Sequence, residues 1–342
     1  MLKTARKTRK SPFFLFPFTL VLVLLLSLSW VNAKEAPKPK PQNWEMNGIV
    51  AALVDPHAGV RLQAANKLAE YQLDDPKSLI KKYKVDVDKL GKQLEDKDSV
   101  SRNAAARALG RMQAKEYAPK VVELLKDSDT SVRYAALSAL GQMQAKEYAP
   151  KVIELLKDSD TTVRYVAAVA LGQMQTKEYA PKVVELLKVS ESYVRNAAAE
   201  ALGQMQAKEY APKLVELLKD SDSSVRDAAA KALGLMQAKE YAPKVVELLK
   251  DSDSSVRDAA AEALGRMQAK EYAPKIAEWL KDSDSSVRDA AVKALGQMQA
   301  KEYAPKLVEL LKDSDSGVRY TAAVALGQMQ AKEYAPKLVE LL

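Results

Sequence analysis

Tyrosine recurs at 117, 148, 179, 210, 241, 272, 303 and 334, and arginine at 102, 133, 164, 195, 226, 257, 288 and 319; both ladders have a step of 31 residues. The stretch KDSDSSVRDA stands unchanged at 219–228, 250–259 and 281–290. A fixed period of this length marks one supersecondary unit laid down many times, because a single unit cannot bury its own apolar face and must stack on its neighbours. A single irregular core is thereby excluded for most of the 342 residues.

Residues 114–144 serve as the unit. Ala118, Val121, Val122 and Leu125 fall at i, i+3, i+4 and i+7, the stripe of an amphipathic helix. Pro119 fits the first turn, where amides have no intrahelical acceptor. Glu116 and Lys120 stand at the favourable i, i+4 spacing for an ion pair. KDSDTS then breaks the pattern, and Asp129 is suited to cap the amides of a second helix. Val132, Ala135, Ala136, Ala139 and Leu140 make the second stripe. Gly141 follows, and it is expected to close the helix in the left-handed conformation, as are its counterparts from Gly110 to Gly327. Met143 is expected to pack between helix pairs. The spacing therefore predicts an all-α fold, an α-solenoid of stacked two-helix repeats.

Residues 44–83 hold a worn version of the unit and are expected to cap one end, with regular repeats over 84–342. The sequence stops at APKLVELL, after one helix of a pair, so the last repeat reads as truncated, or as an end that docks.

The phrase DSDSSVRDAAAEALG at 251–265 resembles the HEAT-like repeats typified by phycobilisome (phycocyanobilin) lyase subunits, and the resemblance runs over about residues 46–342. It implies a ladder of loop aspartates and helix arginines bracing neighbouring repeats. Carried over, it suggests Asp127 with Arg133 and Asp158 with Arg164, with a break where Val189 replaces the aspartate. Enzymes in this repeat class include bilin lyases and deoxyhypusine hydroxylases. The latter need several histidines for two irons, whereas this chain has one, His57. Fold analogy alone would support a lyase or oxidoreductase label.

Composition narrows the function further. There is no cysteine, hence no disulfide, thiolate metal site or thiol nucleophile. His57 lies in the turn DPHAG without an evident nucleophile beside it. DSDSS looks like the start of a calcium loop, but Val256 stands where that loop needs glycine, and helix capping explains the aspartates. No catalytic residue, metal or cofactor is expected. Net charge is +8, of which five charges (Lys3, Arg6, Lys7, Arg9, Lys10) lie in residues 1–33. The repeats are mixed in sign, so no strong drive to bind nucleic acid is expected. The basic start, the apolar run over 12–30 and the small pair Val31 and Ala33 read as a secretory signal peptide, and 34–43 as a Pro/Lys-rich linker. The chain is then extracytoplasmic, periplasmic or secreted. The rival reading is a membrane anchor over 11–33.

Within the repeat, the positions of 134, 138 and 142 vary most, and their spacing of four sets them on one face of the second helix. In solenoids of this type that helix usually lines the concave side. The residues expected to hold a protein or peptide partner are Tyr134, Ser138, Gln142, Tyr165, Val169 and Gln173, then Asp227, Lys231, Asp258, Asp289 and Lys293, then Tyr320 and Val324. The function expected is that of an exported scaffold. The alternatives are a lyase-like accessory or chaperone for a substrate protein, and a structural spacer of the envelope.

Overall fold

Alanine and valine at helical spacing, set between capping aspartates and a closing turn, produce the same two-part unit throughout the computed structural model. The structure describes residues 39–334. The signal peptide and membrane anchor readings, and the final truncated repeat beyond 334, lie outside the described residues. The chain divides into two units, Met1–Pro39 and Lys40–Leu342, and the helices described belong to the second.

The first part of a unit is short. In residues 114–126 a 3-10 turn at Lys115–Tyr117 leads into the helix Ala118–Val121, which tightens into a second 3-10 turn at Val122–Lys126. Pro119 sits at the start of the helix, as its missing amide requires. Ala118, Val121, Val122 and Leu125 are all buried.

The second part is a full helix. Eight occur among the described residues: α1 (Ser99–Arg111), α2 (Thr130–Met143), α3 (Thr161–Met174), α4 (Ser192–Gln204), α5 (Ser223–Leu235), α6 (Ser254–Met267), α7 (Ser285–Gln297) and α8 (Ser316–Gln328). Each packs on the next, and the helix Ala58–Glu70 precedes α1 in the same layer. An aspartate caps seven of them; in α2 the Asp129 carboxylate accepts from the Ser131 amide at 2.8 Å. The exception is α4, where Glu191 holds the cap position without a side-chain cap bond. Ala135, Ala136, Ala139 and Met143 are fully buried between neighbours.

The glycines do not close the helices. No glycine among the described residues has positive φ; the left-handed position belongs to Gln144 (φ 52°) and its counterparts from Gln113 to Gln330. The amides of Gln144 and Ala145 turn back to the carbonyls of Gly141 and Leu140, which is a Schellman closure. Gly141 and its relatives lie inside the helix, at the contact with the next one. A Cβ on Gly110 would come 2.5 Å from Ala139 Cα, and one on Gly234 2.7 Å from Ala263 Cα. The residue was legible, but its job is close helix approach rather than chain reversal.

The arginine ladder braces neighbouring repeats, but in another register. Arg133 donates through Nε and Nη2 to the Asp158 carboxylate of the following repeat, at 3.0 and 3.1 Å. To Asp127 of its own loop it gives only a main-chain contact, Nη1 to the carbonyl at 2.9 Å. Arg102–Asp127, Arg195–Asp220, Arg226–Asp251 and Arg288–Asp313 repeat the pairing. An arginine at this place points forward along the stack, so the carboxylate it reaches is one repeat on. Val189 does not break the ladder, because Glu191, two residues later, receives Arg164 at 2.9 Å. A break does occur between α6 and α7. Asp282 is taken by Lys250 at 3.1 Å, and Arg257 keeps its carbonyl bonds to Asp251 and Ser252 with no carboxylate partner among the described residues. At the same junction a Cβ on Gly265 would meet Gln297 rather than the alanine met elsewhere. Trp279 replaces the leucine of other copies there, with the Lys250 ammonium 5.0 Å from its ring centre. Lys120 likewise reaches across repeats, to Glu95 at 2.7 Å, instead of pairing with Glu116.

Candidate partner-binding face

Along the layer of second helices, the constant small residues are buried and the variable positions come to its edge. At the front, the Asn103 amide donates to the Ser131 carbonyl at 2.7 Å and its oxygen accepts from Arg107 Nε at 2.7 Å. The Arg107 guanidinium lies 5.3 Å from the centre of the half-buried Tyr134 ring. Gln142 donates to the Ser138 hydroxyl at 3.1 Å. Tyr165 is half-buried, and its ring packs on Tyr193, 6.0 Å between centroids and tilted by 59°. Val169 packs against the core, and Gln173 covers Gly141 of the preceding helix. Tyr134 and Tyr165 thus stand on adjacent helices but engage different neighbours, a cation and a second ring.

The middle of the face is a charge network. Asp227 meets Lys231 at 2.8 Å, Glu262 meets Arg266 at 2.8 Å, and Lys293 bridges Asp258 and Asp289, both at 2.8 Å. Burial pushes the Asp227 carboxyl above its ordinary range. Burial works against the Lys293 charge, yet its bonds to Asp258 and Asp289 hold it above the usual lysine range. Tyr320 and Val324 on α8 are exposed, at 45% and 41%. The expected residues therefore form three groups: a mixed aromatic and polar one on α2 and α3, an ionic one on α5 to α7, and an open apolar pair on α8.

Sequence reasoning passed over Tyr193. Its place reads Val100, Ser131, Thr162, Ser224, Ser255, Ser286 and Gly317 in the other copies, so the aromatic residue was visible as a departure. Glu200 was among the variable positions but not among the expected contacts. It is half-buried, and no ion pair or hydrogen bond to it occurs among the described residues; burial raises its carboxyl above the usual range. The tyrosine ladder lies half-buried between repeats. The Tyr117 hydroxyl donates to Asp88 at 2.6 Å, and that bond together with burial pushes the phenol up to about 12. His57 is exposed, with Nδ1 3.3 Å from Asp55 Oδ1. Among the described residues no group of three or more His, Asp or Glu side chains is placed to hold a metal ion, and no helix is long and apolar enough to cross a membrane.

The repeats match the family described as HEAT repeats, over residues 87–172, 149–234, 211–290 and 273–342. Among solved structures, importin beta aligns with a TM-score of 0.55 at 16% identity, over 92% of this chain and 49% of its own. The X-ray structure of YIBA_ECOLI aligns with a TM-score of 0.52 at 24% identity, over 76% and 98%. The complex of CpcE and CpcF of phycocyanin lyase from Nostoc sp. PCC7120 aligns with a TM-score of 0.46 at 24% identity, over 72% and 94%. The first two likenesses speak to the fold. A comparison with curated proteins returned no match.

Proposed function

Because this chain belongs to the HEAT repeat family, we propose that it is an exported, non-catalytic scaffold that holds a protein or peptide along its layer of second helices. One observation carries the reading: the constant positions of α1 to α8 are buried, while the residues at the positions of 134, 138 and 142, Asn103 and Asp227 excepted, are half-buried or exposed along the same layer. A surface built this way keeps its frame and varies its chemistry from repeat to repeat, which suits recognition of an extended partner by complementarity. Half-buried tyrosines add large contact area at low entropic cost.

The binding test pairs capture of partners from envelope extract with two variants. Tyr134→Ala combined with Tyr165→Ala should weaken binding of the captured protein by about 2–4 kcal/mol, with helicity unchanged by circular dichroism. Lys120→Ala with Glu123→Ala, on the first segment, should leave affinity unchanged. The reverse pattern would move the site to the other face. Export rests on the basic, apolar and small-residue order of residues 1–33. N-terminal sequencing of the mature chain should begin at Lys34; retention of Met1 in the membrane would favour an anchor.

A further inference from the structure

Three side chains on α3 and α4 form a group that the paired chemistry of the remaining face does not explain. Tyr193, Asn196 and Glu200 stand at i, i+3 and i+7, on one side of α4. Tyr193 is 45% exposed and leans its ring on Tyr165 of α3. Glu200 lies close enough to Tyr165 for its charge to be felt by the phenol. The other carboxylates of the ionic stretch, Asp227, Asp258, Glu262 and Asp289, each hold a lysine or arginine at 2.8 Å. Glu200 does not: Lys231, whose charge it feels, is bonded to Asp227.

A half-buried carboxylate without a partner is costly, and a cation placed beside it removes that cost. The Tyr165 ring, whose phenol feels the Glu200 charge, and the Tyr193 ring packed on it attract a cation through the ring quadrupole. The repeat requires neither the ring at 193 nor the carboxylate at 200: no other copy has an aromatic residue at the place of 193, and only Glu262 repeats the carboxylate, with Arg107, Ser138, Val169, Lys231, Lys293 and Val324 elsewhere.

We propose that Tyr165, Tyr193 and Glu200 form a site for a basic side chain, so that the partner presents an arginine or lysine to the α3–α4 junction. This rests on the partner-binding reading above and specifies the charge of the segment bound. The occupant is a residue of a polypeptide, because the site opens on the same face as Tyr134 and the ionic stretch, where an extended chain would continue.

The test is nuclear magnetic resonance of the purified protein with ring-labelled tyrosine, titrated with short capped Gly/Ser peptides that carry one Arg, one Lys, one Glu or no charge. The Arg and Lys peptides should shift the Tyr165 and Tyr193 signals. Glu200→Gln and Tyr193→Ser should each weaken that binding by about three- to tenfold. Tyr193→Ser writes the residue that four other copies have at this place, so the fold should be kept. Equal binding of the neutral or acidic peptide, or undiminished binding by Glu200→Gln, would overturn the site. So would saturation by tetramethylammonium with no response to the peptides, which would mean a small-cation pocket. A captured partner weakened by Tyr134→Ala but not by Glu200→Gln overturns this site and leaves the wider face standing. Peptide binding through Glu200, with no captured partner weakened by Tyr134→Ala, upholds the site and overturns the wider face.

Discussion

At the scale of single residues, the repeat separates two tasks that glycine usually performs together. Backbone reversal is carried by Gln144 and its counterparts at φ near 50°, a conformation that costs a residue with a Cβ about 1–2 kcal/mol. The glycines are used instead for lack of bulk. Gly234→Ala should therefore cost about 1–3 kcal/mol, since the new Cβ would press on the Ala263 backbone and the neighbouring helix must move. Gly48→Ala, in the helix Asn43–Ala52 with no described atom within 4 Å of the added carbon, should gain about 0.5–1 kcal/mol. Urea unfolding of both variants checks the pair. Equal effects would mean that helix propensity, not close packing, governs these positions.

At the scale of elements, the arginine ladder ties each second helix to the loop of the next repeat. Its pairs are largely shielded: Arg226 and Asp251 side chains are 14% and 10% exposed. Removing one partner leaves a poorly solvated charge, which costs more than the intact pair contributes. Arg226→Ala should thus cost about 3 kcal/mol. Arg257→Ala, which loses carbonyl contacts but no carboxylate, should cost about 1.5 kcal/mol. Thermal unfolding of the two variants side by side tests the asymmetry, and equal losses would contradict the break seen at the α6–α7 junction. Glu191 shows the opposite event, a side chain that gives up helix capping and keeps the ladder closed.

At the scale of the whole molecule, stability is a sum over repeats and the contacts between them, so chemistry written eight times acts eight times. The capping and ladder aspartates set the response to acid. Hydrogen bonds from the Ser131 and Ser99 hydroxyls hold the Asp129 carboxyl at about 2, and those from Ser255 and Ser223 hold Asp253 at about 2. The Arg288 bond keeps Asp313 low as well. Because these folded values lie below the unfolded value of 3.8, their stabilisation is present in full above it and is lost as pH falls from about 4 toward 2. Glu200 and Asp227 have raised values and act in the opposite sense, gaining stability as they take up protons above that window. Chemical denaturation at stepped pH should show stability nearly flat or slightly rising as pH falls toward 5, then a steep loss between 4 and 2. Loss centred above pH 5 would show that groups other than these aspartates dominate the response to acid.

The sequence by itself determined the period, the helix pairs, the capping aspartates and the buried stripes, because each depends on residues within a few positions of one another. A spacing of three and four defines a helix face wherever the helix lies, and an aspartate before a helix caps it locally. Much of the candidate face was legible for the same reason: residues that vary at a spacing of four share one side. What only tertiary structure decided lies between repeats. Arg133 could have turned to Asp127 or to Asp158, and the offset of one repeat on the next chose the second. Gly141 could have closed its helix, but the approach of α3 required the missing side chain one turn earlier. Tyr193 and Glu200 acquire a meaning only beside Tyr165, on another helix 28 residues and more away in sequence. Periodicity specifies the unit. The distance and rotation between units, set by how alanine and glycine surfaces fit, decide which charges and rings meet.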